Sequence, residues 1–334
     1  MTYLPDPTLR RLREVANWPD FSGTRYTVTE EIARGGMGTV YRATDGVLDR
    51  EVAIKVSNTQ SGHKELDDRM RTEARVLARL EHPGIVPIHD AGRTPDGRAY
   101  YVMKRVQGRT LVEYLQTTDD LNELLGIFER ICEPVAFAHD RGCVHRDLKP
   151  ENIMVGAFGE VLVMDWGVAK LLDEPHPEPV DDGGGGLETD GTRPGTVMGT
   201  RGYMPPEQAR GQIDAIDQRA DVYALGAILF TMLTGSSAPP AAADVSDLLG
   251  RRRGIPKRLR AICARAMAPD AEDRYPGAGR LAADIVRFRA GEPVDAYPET
   301  LLDRAARLAT VYRTAILLVL AYLIMRVVVA LLAG

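Results

Sequence analysis

Cysteine is scarce in this 334-residue chain: Cys132, Cys143 and Cys263 stand apart, with no C-x-x-C pair. That excludes a disulfide framework and a cysteine zinc site. It fits a reducing cytosol, with the three thiols read as small core residues. Six scattered histidines offer no metal-ligand spacing either. Basic charge is not in excess. The net charge of −5 gives no electrostatic reason to expect a nucleic-acid partner. The opening MTYLPDPTLRRLREV lacks the apolar core of a secretory leader, so the front of the chain is expected in the cytoplasm. No G-x-x-x-x-G-K-S/T run occurs, which argues against P-loop nucleotide chemistry.

Long apolar runs are absent until the end. Residues 315–334 read AILLVLAYLIMRVVVALLAG, apolar apart from Arg326. Twenty helical residues rise about 30 Å, the thickness of a bilayer core. Arg304, Arg307 and Arg313 lie just before the run and place that side in the cytoplasm by the positive-inside rule. Arg326 lies eight residues from the end of the sequence and is expected to snorkel toward the far interface. A single-pass transmembrane helix over 315–334 is therefore expected, after a juxtamembrane linker over 291–314. The competing reading is an apolar helix packed on the rest of the chain or on another subunit.

What is present suffices for a large core: 44% hydrophobic and 27% charged residues. Residues 1–25 read as an extension, with an amphipathic helix from Thr8 to Asn17 ahead of Trp18-Pro19-Asp20. From Tyr26 the pattern alternates through YTVTEEIA, TVYRAT and REVAIKVS, an antiparallel meander. Leu66 to Leu80 carries helical spacing, with Leu66, Met70, Ala74, Leu77 and Leu80 on one face. Two strands follow, around Ile85–Ala91 and Ala99–Arg105. After Gly108 helices dominate. This is an α+β chain of two lobes, a β-rich one over about 26–105 with one helix and a helical one over about 108–290. Residues 173–195, acidic and rich in Pro and Gly, cannot bury enough apolar surface to order themselves.

Four segments carry chemistry. Ala33-Arg34-Gly35-Gly36-Met37-Gly38-Thr39-Val40 lies between the first two strands, where glycines let a hairpin turn its N–H groups toward phosphates. Val52-Ala53-Ile54-Lys55 follows on the third strand, and Lys55 is placed to grip phosphate oxygens. Such a lysine needs an anionic partner; Glu73 lies one turn from Leu77 on the inward side of the helix, and Glu65 is the alternative. His145-Arg146-Asp147-Leu148-Lys149-Pro150-Glu151-Asn152 supplies an acid and, five residues on, an amide. Thirteen residues after Asn152, the apolar Val161-Leu162-Val163-Met164 delivers Asp165 to the turn Trp166-Gly167. That is a fitting place for a carboxylate ligand of a hard cation.

In this order the segments resemble a bacterial Hanks-type serine/threonine protein kinase, from about Tyr26 to Phe288. The resemblance implies a kinase domain over 26–290 that uses ATP with Mg2+, or Mn2+ in its place, and acts on serine and threonine hydroxyls of proteins. Lys55, Glu73, Asp147, Asn152 and Asp165 then fill the catalytic positions, Asn152 and Asp165 as the metal ligands. Lys149 would steady the transferring phosphate. Gly199-Thr200-Arg201-Gly202-Tyr203-Met204-Pro205-Pro206-Glu207 matches the end of an activation segment, with Thr200 bonded near Asp147 and Lys149. Glu207 would pair with Arg274, and Asp221 would brace the catalytic loop. Nucleotide contacts would come from residues Ala33 to Gly38 with Val40, Ala53 and Lys55, from Met103 as gatekeeper, from the hinge Lys104 to Val106, and from Met154. Arg146 beside Asp147 implies sensing of a phosphate on the activation segment, with Thr196 the first candidate and Thr192 and Thr189 the alternatives.

Three departures from the pattern stand out: Ala33 for the first glycine, Trp166 for a phenylalanine, and Pro205 for an alanine. None removes a charge the reaction requires, so activity is expected. A pseudokinase, binding nucleotide and partners without transfer, is the rival reading. The basic run Arg251-Arg252-Arg253 with Lys257, Arg258 and Arg260 reads as a solvated face, with docking of an acidic substrate or of anionic lipid the alternative. The expected setting is the cell membrane with the kinase domain cytoplasmic; a homodimer is compatible with it.

Overall fold

The computed structural model describes residues 18–35, 38–58, 64–167, 169–171, 202–212, 216–236, 245–252, 254–301, 303–305 and 312–332. The expected helix Thr8–Asn17 and most of the activation segment lie outside these residues.

Five strands form the first lobe: β1 (Tyr26–Arg34), β2 (Gly38–Asp45), β3 (Arg50–Ser57), β4 (Ile88–Arg93) and β5 (Ala99–Lys104). Their antiparallel order is β1-β2-β3-β5-β4. Period-two alternation gives this sheet two buried faces. Val52, Ile54 and Val56 join Tyr41, Ala43, Tyr100, Val102 and Phe21 on one face. Ala53, Tyr101 and Met103 face the other way, into the main core. Register sets Lys55 opposite Val40 on one side and Tyr101 on the other. Helix α1 (Lys64–Arg79) packs against this inner face with Met70, Val76 and Leu77, and Leu80 follows it inward. Ala74, expected on the buried stripe, is half-buried.

The fourth strand starts later than expected. Ile85 and Val86 are apolar and buried, but Pro87 has no N–H to give a ladder. Ile85 instead bridges Val163, and Val163 N–H donates to Gly84 O at 2.8 Å, which ties this loop to the second lobe.

The second lobe begins with β6 (Gly108–Thr110), α2 (Leu111–Tyr114) and α3 (Leu121–His139). Asp120 caps α3, its side chain accepting from the N–H groups of Asn122 and Glu123. The short β7 (Cys143–Val144), β8 (Ile153–Gly156), β9 (Val161–Val163) and β10 (Lys170–Leu171) frame the functional loops. Beyond them lie α4 (Pro206–Ala209), α5 (Gln218–Thr234), α6 (Val245–Arg251), α7 (Lys257–Ala266) and α8 (Ala278–Arg289). α5 runs through the core, buried from Ala220 to Met232, and stops at Gly235 with φ +67.

Arg274 ties this lobe together. Its guanidinium makes a two-armed ion pair with Glu207, at 2.6 and 2.9 Å. It also donates to the carbonyls of Ala268, Arg219 and Pro269. The expected Glu207–Arg274 pair is present.

The final helix, α9 (Arg313–Leu332), exposes its apolar side chains from Leu317 to Val329. Among the described residues no helix is long and apolar enough to cross a membrane. A helix is therefore present where a span was expected, and the span itself is not established.

Candidate active site

Lys55 is 9% exposed and Glu73 2% exposed, at the interface of β3 and α1. Lys55 Nζ donates to both Glu73 oxygens, at 2.8 and 2.9 Å, and to Asp165 Oδ1 at 3.1 Å. Tyr101, across the sheet from Lys55, donates its hydroxyl to Glu73 Oε1 at 2.8 Å. Burial works against the charge on Lys55, but the carboxylates of Glu73 and Asp165 outweigh it and raise its pKa. Burial likewise works against the Asp165 carboxylate, yet Lys55 overrides it and holds that carboxyl below the usual range. Burial, then Glu73, keeps Tyr101 a phenol. Of the two carboxylates considered for Lys55, Glu73 is the partner.

The loop after β7 carries the second half of the site. Lys149 Nζ donates to Asp147 Oδ2 at 2.7 Å. Asn152 Nδ2 donates to Asp147 O at 2.8 Å and to Oδ2 at 3.3 Å, so its amide oxygen is turned the other way. Met164 N–H reaches back to Asn152 O at 2.7 Å, joining this loop to the segment bearing Asp165. The two expected metal ligands thus sit on adjoining strands of backbone. Asp165 is about half exposed and meets Lys55 through Oδ1. An amide oxygen and a carboxylate are hard donors, so the pair fits a magnesium ion.

A buried carboxylate holds the loop. Asp221, 1% exposed on α5, accepts from the N–H groups of His145 and Arg146, each at 2.8 Å. His139, at the end of α3, adds its Nε2 at 2.9 Å. Burial alone would raise the Asp221 pKa, but these donors lower it. Arg146 has φ +68, and Gln208 Nε2 donates to its carbonyl at 3.0 Å. Its guanidinium Nε and Nη2 are buried with no partner among the described residues.

Over the site, Gly35 N–H bonds Gly38 O at 2.9 Å, closing the hairpin between β1 and β2. A Cβ on Gly38 would lie 2.7 Å from Val56 O, which explains a glycine there. Asn58 Nδ2 donates to Gly35 O at 2.7 Å and accepts from Thr39 Oγ1 at 2.7 Å, a strut for the hairpin. Ala33 pairs with Val40, and Arg34 turns to Glu31. Ala53 and Met103 face each other across β3 and β5, with Val40 and Val106 packed against the same core. Lys104 is exposed; Met154 is half-buried on β8, paired with Thr110 and Leu162. Gly36, Met37, Thr189, Thr192, Thr196 and Thr200 lie outside the described residues. Trp166 is 1% exposed and its indole donates to Val163 O at 3.3 Å, which gives the expected N–H its partner. One hollow, of about 420 Å³, borders the hairpin, lined by Arg34, Thr39 and Asn58 with Trp18 and Tyr41; another, of about 660 Å³, lies beside Arg109 and Arg130.

Tyr101, His139 and Asn58 were not singled out in the sequence. Tyr101 needs the register of β5 against β3, and His139 needs the packing of α3 on α5. Asn58 is an amide just past a strand, and nothing local marks it.

A model of the protein kinase domain matches residues 26–273. The chain is 36% identical over 296 residues to serine/threonine-protein kinase PknD of Chlamydia caviae, covering 80% of this chain and 32% of that protein. It is 35% identical over 304 residues to serine/threonine-protein kinase PknB of Mycobacterium tuberculosis, covering 85% and 46%. The chain spans about a third to a half of the length of these curated relatives. The crystal structure of the Mycobacterium tuberculosis PknI kinase domain matches with a TM-score of 0.58 and 23% identity, over 79% of this chain and 95% of that one; this bears on the fold alone.

Proposed function

This chain belongs to the protein kinase family, in its bacterial Hanks-type serine/threonine branch, and from that premise we propose that it transfers the γ-phosphate of Mg-ATP to serine and threonine hydroxyls of proteins. The observation that carries the reading is the single network in which Lys55 bridges Glu73 and Asp165. It brings the phosphate-gripping cation, its anchor and a metal ligand together from three separate elements.

Each residue then has a distinct task. The hairpin over Gly35 and Gly38 covers the triphosphate, and Lys55, held by Glu73, meets the α- and β-phosphates. Asn152 and Asp165 would hold magnesium, which neutralises charge on the phosphates when bound. Asp147 orients the substrate hydroxyl and takes its proton, while Lys149, 2.7 Å away, faces the phosphate in transit. Catalysis comes from positioning and electrostatic stabilisation, since little covalent work falls to the protein. Val40, Ala53, Met103, Val106 and Met154 are assigned to the adenine.

Regulation follows from Arg146. A buried guanidinium with two nitrogens unpartnered among the described residues favours an anionic visitor, and autophosphorylation at Thr196, Thr192 or Thr189 would provide one. Intact mass after incubation with ATP, with phosphosite mapping, tests this; residues 173–200 remaining unmodified would refute it. Tethering to the cell membrane through residues 315–334, with the kinase domain cytoplasmic, rests on the apolar sequence and its flanking arginines. Two tethered copies could then meet as a homodimer.

The deciding experiment is phosphate transfer from radiolabelled ATP, with Asp147→Asn alongside. Label on the protein or on a basic substrate, lost in the variant, supports the reading. Magnesium-dependent ATP binding without transfer would favour a pseudokinase.

A further inference from the structure

The chain leaves the second lobe along a fixed course. Asp284, fully buried on α8, accepts the N–H groups of Asp295 and Ala296 at 2.8 and 3.0 Å, and the Tyr275 hydroxyl at 2.8 Å. Arg258 on α7 donates to Glu292 O at 2.6 Å and lies over the Phe288 ring. Further on, Asp303 accepts from Thr300 Oγ1 at 2.7 Å and from the Tyr297 hydroxyl at 3.0 Å, within the field of Lys257, the first residue of α7. The stretch that runs on to α9 is thereby carried back to the elbow between α6 and α7.

That elbow is basic. Arg251, its side chain 75% exposed, has Asp247 as partner at 2.7 Å. Arg252 and Lys257 are exposed, and neither has an ion-pair partner among the described residues. Arg260 donates Nε to Ile255 O at 3.0 Å, which keeps its charge on the elbow. Arg304, also exposed, extends the same sign along the outgoing chain.

Position decides between a lipid and an acidic protein as the partner. Arg313, where α9 starts, is ten positions beyond Asp303, and a stretch of that length reaches at most about 35 Å. With α9 in a bilayer, the elbow stays within that reach of the headgroups, and tethering makes even a weak surface effective. An acidic protein arriving from solution has no such help.

We propose that the α6–α7 elbow docks on the anionic headgroups of the bilayer that α9 enters, through Arg251, Arg252 and Lys257. The inference rests on the tethering of the chain through residues 315–334.

The test uses the full chain in lipid nanodiscs with an acceptor dye on the headgroups. A donor dye is attached at Ser246→Cys, exposed at the start of α6, or at Val47→Cys, exposed on the β2–β3 turn of the other lobe; the native cysteines are buried. Discs hold phosphatidylcholine alone or an equal mixture with phosphatidylglycerol. Energy transfer from position 246 should rise with phosphatidylglycerol and fall back in high salt, and transfer from position 47 should change little. Arg252→Glu/Lys257→Glu should lower the ratio of docked to free elbow by roughly thirty-fold or more, since two surface charges are lost. Transfer that ignores phosphatidylglycerol, or that survives the charge reversal, would overturn the proposal. If, in that case, the variant phosphorylates casein more slowly in phosphatidylcholine discs, the elbow serves an acidic protein instead. Retention of the chain in the discs through a high-salt wash separates the two levels. A chain washed out refutes the tether and the docking with it; a chain retained, with transfer blind to phosphatidylglycerol, refutes the docking alone.

Discussion

Asp221 accepts the backbone N–H of Arg146 at 2.8 Å, across 75 positions of sequence, and so fixes the residue beside Asp147 in a left-handed conformation. The carboxylate is buried and serves the N–H of His145 as well. An amide in its place would set an NH2 group against those donors. Asp221→Asn should therefore lower stability by about 2–4 kcal/mol at neutral pH, measured by denaturant unfolding. The sign of the pH dependence follows from its depressed pKa. The stabilisation is full above the unfolded carboxylate value near 4 and is lost as pH falls through the lower folded value. The gap between native and variant should shrink in that acid window and stay constant from about pH 6 to 8.

Lys55 and Glu73 separate stability from activity. Lys55→Met leaves Glu73 buried with Tyr101 as its remaining partner, which should cost about 3–5 kcal/mol. The double variant Lys55→Met/Glu73→Gln removes the stranded charge and should recover part of that stability. Transfer should stay down by roughly 100-fold or more in both, because the phosphate contact is gone. Thermal unfolding beside a transfer assay checks both halves; activity returning in the double variant would refute the role of Lys55.

Arg146 carries a stability cost that a ligand would relieve. Two of its nitrogens are buried with no partner among the described residues, and burial lowers its pKa despite nearby Asp221. Arg146→Met should stabilise the unphosphorylated protein by about 1–2 kcal/mol. It should also abolish any gain in rate on autophosphorylation while leaving the basal rate within a few-fold. A destabilised variant that still responds to phosphorylation would contradict this.

Arg274 depends on its shape more than on its charge. Five hydrogen bonds leave its fork, and a lysine has three donors at one point. Arg274→Lys should lose about 2–4 kcal/mol of stability, with KM for ATP unchanged, since the pair lies away from the nucleotide residues. Calorimetry and steady-state kinetics on the same preparation decide it.

Much of the site was legible in the sequence because its residues recur at fixed local spacings. Asp147 to Asn152 and Asp165 to Gly167 are short loops, and their chemistry is written in consecutive letters. Lys55 and Glu73 could be read from strand and helix periodicity, since each points inward at the right phase. Tyr101, His139 and Asn58 act across elements, through register and packing that no local pattern encodes. Strand β4 began after Pro87 because a missing N–H overrode an apolar run. The apolar run near the end could be read as a helix, now seen over Arg313–Leu332, but its letters do not say what covers it.

The Glu207–Arg274 pair also imposes an order of events during synthesis. The two residues are 67 positions apart, and the glutamate emerges first. Until Arg274 leaves the ribosome, sealing Glu207 inside the second lobe would strand an acid in an apolar interior. Closure of that lobe should therefore wait for the stretch around Asp273, however early its helices form. Nascent chains stalled shortly before Arg274 is released should be cut readily by protease near Glu207, and chains stalled well beyond it should resist. Arg274 thus gives vectorial folding a late checkpoint.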